Sequence, residues 1–329
     1  MDNHIAIIGG AGFVGSSLAR RLDNSQSSYI IGDINLHNHK NNIVYLDVRD
    51  LDTFHNVNDC SIIINLAAEH RDDVMPLSRY DDVNVKGAVN VCNFARKNDT
   101  KKIIFTSSVA IYGFAPAGTS ESGEPNYFND YGRTKYLAEQ VYKKWHSEAP
   151  DDRTLVIIRP TVIFGEGNRG NVFNLLKQIA DKRFIMFGNG NNKKSMAYVE
   201  NVSAFLEYTL AFEPGLHIYN YIDKPDFDIN TLVSVARETL FNKNNVGLRL
   251  PGSIGISIGY LADIAAKIID KKLPVSSIRV KKFMSTTQFS SSVSNTGFIA
   301  PVSLKEGLAR TLRYEFLEDN SMNRTYDTE

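Results

Sequence analysis

Apolar positions in the first half of the chain fall into short unbroken runs, separated by longer stretches with helical spacing. His4–Ile8, Tyr29–Ile31, Ile43–Leu46, Ile62–Leu66, Lys102–Thr106 and Thr154–Arg159 read as strands, the last stopped by Pro160. The stretch after Gly9-Gly10 through Leu22, Arg79 to Asn98, and Tyr131 to Ser147 carry helical patterns. Strands alternating with helices predict an α/β fold of the Rossmann type, a doubly wound parallel sheet. The run Ile62-Ile63-Ile64 suits a strand buried on both faces. Past Thr161 the alternation loosens, and Gly and Asn cluster at 165–171 and 188–192. The chain therefore divides into a dinucleotide-binding domain at 1–160 and a mainly substrate-binding lobe at 161–317, some of whose segments return to the sheet. A polar tail at 318–329 is expected to fray.

Composition narrows the class. A chain of 329 residues with 43% hydrophobic and 22% charged residues is globular rather than disordered. Lys+Arg and Asp+Glu are 37 each, so no bulk charge points to a nucleic-acid partner. Cys60 and Cys92 lie in no CxxC pair, which fits a reducing compartment. The N-terminus enters an apolar strand without the pattern of a signal peptide, and the longest uncharged run, Leu250 to Ala262, is shorter than the roughly 20 residues of a bilayer span. A cytoplasmic protein is expected. The seven histidines are scattered without ligand spacing, so no metal is expected.

Two constellations carry chemistry. Gly9-Gly10-Ala11-Gly12-Phe13-Val14-Gly15 lies between a strand and a helix. Gly9 permits the tight turn, Gly12 lets backbone N–H groups approach a pyrophosphate, and Gly15 allows close helix packing. Asp33 ends the second strand, where a carboxylate accepts hydrogen bonds from a ribose 2′-OH and favours NAD over its 2′-phosphorylated form. Asp47 and Val48 follow the third strand and reach toward the adenine edge, while Leu66, Ala67 and Ala68 are small or apolar where backbone passes a dinucleotide. In the second constellation Tyr131 and Lys135 share one helix face at i and i+4. A neighbouring ammonium favours phenolate, so Tyr131 can act as general base on a hydroxyl whose carbon delivers hydride to NAD. Ser108 ends a strand at the same sheet edge and offers its hydroxyl to the reacting oxygen.

These residues in this order resemble the extended short-chain dehydrogenases/reductases, the nucleotide-sugar epimerase/dehydratase group. Thr106-Ser107-Ser108-Val109-Ala110-Ile111-Tyr112-Gly113 is similar to the family's serine segment, and Arg159-Pro160-Thr161-Val162-Ile163-Phe164-Gly165 to the segment after its sixth strand. The resemblance implies catalytic roles for Ser108, Tyr131 and Lys135. It also implies cofactor contacts from Phe13, Val14, Asn84, Thr106, Tyr131, Lys135 and Pro160. His70 falls where related enzymes place a cofactor-contacting side chain, or is a structural residue within Glu69–Asp73. Val162 departs from the Asn that many epimerases carry. Dehydratases place Asp-Glu where this chain has Val109 and Ala110, which transfer no protons.

The resemblance leaves a 4-epimerase, which regenerates its NAD, or a 4-keto-sugar reductase using the same three residues. A non-catalytic NAD sensor on this scaffold usually loses the Tyr or Lys. For a diphosphate substrate, Lys194 and a cationic stretch with Arg279, Lys281 and Lys282 resemble phosphate-contacting segments, their alternative being solvated cations. Asn171 resembles a substrate-clamping Asn, Ser108 also touches substrate, and Phe184–Phe187 resembles the base-binding strand. Segments 67–74, 159–173 and 275–289 are similar to bacterial family members that epimerise N-acetylglucosamine on undecaprenyl diphosphate in surface-polysaccharide (O-antigen) assembly; UDP-linked N-acetylhexosamine is the alternative. Ile254, Ile258, Leu261, Ala265 and Ile268 form an apolar helical face beside a cationic stretch. Such a face docks on the inner-membrane surface or packs into the core. By analogy with the family, a homodimer forms through helices at 79–98 and 131–148.

Overall fold

The structure is a computed structural model that describes residues 4–36, 42–57, 59–71, 74–269, 277–320 and 323–326. Within these, the side chains of residues 262, 264–269, 278, 279 and 282 lie outside the description. The chain opens as β1 (Ile5–Ile8), α1 (Phe13–Asn24), β2 (Tyr29–Asp33), β3 (Ile43–Tyr45) and β4 (Ile62–Asn65). A helical stretch then begins at Ser78–Tyr80, widens into a π-turn over Asp81–Lys86 and runs on as α2 (Gly87–Lys97). There follow β5 (Lys102–Thr106), α3 (Asp130–Ser147), β6 (Thr154–Pro160) and β7 (Val162–Phe164). The rest comprises α4 (Asn171–Ala180), β8 (Met186–Phe187), β9 (Lys193–Tyr198), α5 (Val199–Tyr208), β10 (Gly215–Tyr221), β11 (Asp223–Asp228), α6 (Ile229–Phe241), β12 (Arg249–Leu250), α7 (Gly252–Ile269), α8 (Ser277–Met284) and α9 (Leu304–Phe316).

Seven parallel strands form the main sheet in the order β10-β6-β5-β4-β1-β2-β3. Direction of winding reverses between β1 and β4, and a doubly wound sheet binds ligands outside the carboxyl ends of its strands at that point. All four residues of β4 and all seven of β6 are buried, as the unbroken apolar runs require of strands covered on both faces. One face packs under α2 and α3 around Phe94, Tyr142 and Trp145. The other packs under α1 and α5 around Leu18, Leu22, Phe205 and Leu206. A separate core around Leu176, Tyr198, Leu232 and Leu308 joins a smaller sheet, β11-β9-β7, to α4, α6 and α9.

Two expectations change. The helix expected from Arg79 starts one residue earlier and is interrupted by the π-turn, which turns Asn84 inward where it stays buried. The tail does not fray throughout: Asn323–Tyr326 docks, with Tyr326 N donating to Gly167 O at 2.8 Å and Arg169 N to Tyr326 O at 2.9 Å. The aromatic ring and two main-chain bonds hold a segment whose polar composition reads as loose.

Candidate active site

The glycine loop joins β1 to α1 at the switch point. Gly9 has φ +75°, and a Cβ there would lie 2.5 Å from Ala67 N, so glycine is required on both counts. A Cβ on Gly15 would meet Gly10 O at 2.4 Å, which fixes how closely α1 packs on the loop. Gly12 differs: its nearest neighbour within 4 Å is Gly9 O at 3.3 Å, so a side chain there would project into the cleft. Phe13 opens α1, whose first turn carries no acidic residue, leaving the dipole and the N–H groups around Val14 for an anion. Asp33 accepts from Ala11 N and from Asn35 N, each at 2.9 Å, which locks its carboxylate beside the loop.

The carboxyl ends of the neighbouring strands complete this cleft. Leu66, Ala67 and Ala68 are half-buried beyond β4, and Pro160 is buried at the end of β6. Thr106, at the end of β5, buries a hydroxyl oxygen that has no hydrogen-bond partner among the described residues. An orphaned hydroxyl, an open face at Gly12 and an uncompensated helix N-terminus together suit a dinucleotide diphosphate and its ribose. Asn84 commits its amide to the protein: Nδ2 donates to Glu69 O (3.0 Å) and Thr134 Oγ1 (2.9 Å), and Oδ1 accepts from Glu69 N (2.8 Å). It therefore ties the loop after β4 to α3 instead of presenting its amide to the cleft. Asp47 is likewise occupied, accepting from Arg49 Nε at 2.9 Å, and that bond holds its pKa down. Val48 packs on Gly87. His70 keeps an exposed edge, and its partial enclosure, followed by the charges of Lys135 and Arg71, pushes its pKa down.

Ser108 and Tyr131 meet at this edge. Ser108 is half-buried, its Oγ accepting from Ala110 N at 3.1 Å, and its hydroxyl acts on the Tyr131 phenol. Asn129 caps α3 by accepting from Gly132 N at 2.9 Å, fixing the turn that carries Tyr131. Burial raises the Tyr131 pKa and the Ser108 hydroxyl opposes this by stabilising the phenolate. Lys135, by contrast, is buried with its Nζ 4.4 Å above the Phe105 ring. Burial lowers its pKa to about 7, with the Glu139 charge acting the other way. The expectation that the Lys135 cation lowers the Tyr131 pKa is thus not met here; the lowering influence is Ser108.

Beneath the pair lies a buried network absent from the sequence reading. Arg159 and Glu139 form a bidentate ion pair at 2.9 and 2.6 Å, Arg159 Nη1 donates to Tyr112 Oη at 2.6 Å, and Ser107 Oγ donates to Glu139 Oε1 at 2.6 Å. It binds the ends of β5 and β6 to α3, the three elements carrying Ser108, Pro160 and Tyr131. No local spacing announces it, since Arg159 and Glu139 meet only once β6 lies beside β5 under α3.

The substrate-side residues are more dispersed. Asn171 is exposed at the start of α4, and Val162 is exposed on β7 of the smaller sheet. Lys194 on β9 is half-buried, with Nζ donating to Ser285 O at 2.7 Å and Thr287 Oγ1 at 3.3 Å, and burial lowers its pKa to about 8. It is anchored, not a freely solvated cation. Phe184–Phe187 runs into β8, which pairs with β12. The side chains of Arg279 and Lys282 lie outside the described residues, while Lys281 Nζ donates to Tyr260 Oη at 2.9 Å. Among the described residues no group of His, Cys, Asp and Glu is placed to hold a metal.

The sequence profile of the NAD dependent epimerase/dehydratase family matches residues 5–220. A protein of Escherichia coli O157:H7, named N-acetyl-alpha-D-glucosaminyl-diphospho-ditrans,octacis-undecaprenol 4-epimerase, is 45% identical over 345 aligned positions covering 100% of both chains. Among solved structures, UDP-glucose 4-epimerase of Thermotoga maritima with UDP-glucose superposes with a TM-score of 0.73 at 20% identity, covering 96% of this chain and 100% of the other. MoeE5 in complex with UDP-glucuronic acid and NAD gives 0.72 at 20% identity, over 95% and 98%.

Proposed function

The chain belongs to the NAD dependent epimerase/dehydratase family, and from that premise we propose that it is an isomerase interconverting N-acetylglucosamine and N-acetylgalactosamine by 4-epimerisation on undecaprenyl diphosphate. The observation that carries this reading is the full-length 45% identity to a relative named for that substrate. The coarser statement, an NAD-dependent epimerase acting on a diphosphate-linked sugar, rests on the family and the relative together.

The division of labour follows the cleft. Residues 1–160 hold NAD and the reacting groups, and 161–317 hold the sugar diphosphate. Gly9, Gly12, Phe13, Val14 and Gly15 with the α1 N-terminus cradle the cofactor diphosphate, and Asp33 takes the adenosine ribose. Thr106, Leu66, Ala67, Ala68, His70 and Pro160 line the remainder, while Asn84 and Asp47 set the shape of the loops around it. When bound, NAD supplies a reversible hydride acceptor. Tyr131 removes the proton from the sugar 4-OH and returns it after the 4-keto sugar has turned over in the site. Ser108 holds the same oxygen and stabilises the phenolate of Tyr131. Lys135 lies one turn along the helix, poised near neutrality, where a ligand's hydroxyls or charge decide its protonation. Asn171, Lys194 and Arg279 are the candidate contacts to the sugar diphosphate.

The protein works at the cytoplasmic face of the inner membrane as a homodimer. Ile254, Ile258 and Leu261 recur at i, i+4 and i+7 on α7 and are 44%, 40% and 67% exposed, which supports a membrane-facing stripe over a core-packed one. Among the described residues no helix is long and apolar enough to cross a membrane. Exposed Val89 on α2 supports pairing through α2 and α3. The substrate is tested by incubating purified protein with UDP-N-acetylglucosamine and with its undecaprenyl-diphospho counterpart, and analysing each pool for N-acetylgalactosamine. Product in the lipid pool is expected. Product mainly on UDP overturns the lipid carrier, and conversion of neither returns weight to a 4-keto-sugar reductase.

A further inference from the structure

The docked segment 323–326 closes a circuit across the cofactor cleft. Its Arg324 Nη2 donates to Ala11 O in the glycine loop, and the Asp33 carboxylate bears electrostatically on the same guanidinium. Arg324 Nη1 is buried without a hydrogen-bond partner among the described residues. The guanidinium stacks over Tyr326, 4.2 Å from the ring centroid, and Tyr326 packs against Phe13 with centroids 5.6 Å apart. On the far side, the segment pairs through its main chain with Gly167 and Arg169. That seat is itself fixed: Glu315 accepts from Gly167 N at 2.7 Å and pairs with Arg169 at 2.9 Å. One short stretch thus bridges the loop that cradles NAD and the loop leading to Asn171.

We propose that residues 323–326 are a clasp that closes the adenosine end of the cofactor cleft and retains NAD through repeated turnovers. This inference rests on the NAD-dependent reading above. An epimerase returns its hydride to the sugar it came from, so cofactor lost in mid-cycle strands a keto sugar; slow release is an advantage that an ordinary dehydrogenase lacks. The chemistry of the clasp fits that task. Beside Asp33, where the adenosine ribose belongs, Arg324 supplies a cation with a donor, Nη1, unpartnered among the described residues, for an oxygen of the cofactor's adenosine half. The clasp is also releasable: among the described residues its hold on the cleft consists of the two main-chain bonds of Tyr326, the Tyr326 ring against Phe13 and the Arg324 guanidinium, and Tyr326 is only partly buried at the edge of an apolar core.

The test compares the parent with Arg324→Gln, Tyr326→Ala and Arg324→Lys. Each full-length protein is loaded with radiolabelled NAD, freed of excess by gel filtration and chased with unlabelled NAD while release is followed. Release at least ten-fold faster from Arg324→Gln and Tyr326→Ala, with Arg324→Lys intermediate, supports the clasp. The charge-keeping variant separates a cofactor contact from a packing role, since lysine restores the cation but not the stacked plane. A parent that holds label while all three variants release it at the parental rate, or more slowly, overturns the clasp alone. A parent that holds no label overturns the NAD reading and the clasp with it.

Discussion

Glu139 lies two turns after Tyr131 on the same helix and grips the Arg159 guanidinium through both carboxylate oxygens, at 2.9 and 2.6 Å. Neither side chain reaches solvent to any extent. A buried pair of this kind is costly to break from one side because the surviving charge is left uncompensated. Glu139→Gln is expected to cost about 3–5 kcal/mol of stability. The double change Glu139→Leu, Arg159→Met should lose less than Glu139→Leu or Arg159→Met alone, and urea unfolding of these three variants checks this ordering.

The Ser108 hydroxyl beside the Tyr131 phenol gives a signed pH effect. Ser108 opposes the burial that raises the Tyr131 pKa, so Ser108→Ala should raise it further. The ascending, acidic limb of kcat/KM, where Tyr131 must lose its proton to act as base, is expected to move to higher pH. Loss of one donor at the reacting oxygen should also lower kcat by roughly 10²-fold. A pH–rate profile with the limb in its parental place would contradict the assignment.

Lys135 makes the cofactor-free protein sensitive to alkali in the favourable direction. Its folded pKa, about 7, lies below the ordinary 10.5. Between those values the unfolded chain binds the extra proton, so this group adds stability as pH rises from 7 towards 10.5 and withdraws it as pH falls through 7. Lys135→Met removes that slope. Melting temperatures of NAD-free parent and variant, compared at pH 7 and pH 9, should converge less at one pH than the other, with the variant gaining relative to the parent at pH 7.

The exposed stripe on α7 predicts a lipid dependence. Replacing Ile254, Ile258 and Leu261 with serine should weaken sedimentation with anionic vesicles several-fold, since the apolar contribution scales with area buried in the interface. Retention equal to the parent would remove the membrane-facing reading.

What the sequence carried plainly was whatever depends on short spacing. The glycine loop, Asp33 at a strand end, Ser108 and the Tyr131–Lys135 turn are each local, and the strand–helix alternation ordered them along one sheet edge. The relation of Lys135 to Tyr131 was not readable, because i and i+4 fix a shared face but not whether the ammonium is buried over Phe105. Asn84 shows a similar gap: its amide faces Glu69 and Thr134 only because a π-turn rotates it inward. The Glu139–Arg159 pair and the Arg324 contact to Ala11, the latter spanning 313 positions, exist only after topology has brought distant segments together.

The central claim is that hydride leaves C4 and returns to C4 on cofactor the protein keeps. Undecaprenyl-diphospho-N-acetylglucosamine deuterated at C4, incubated with purified protein and no added nicotinamide, tests it most directly. N-acetylgalactosamine that retains its deuterium at C4, formed over many turnovers and lost in Tyr131→Phe, is the expected result. Product requiring added reduced nicotinamide, or carrying protium at C4, would contradict the account.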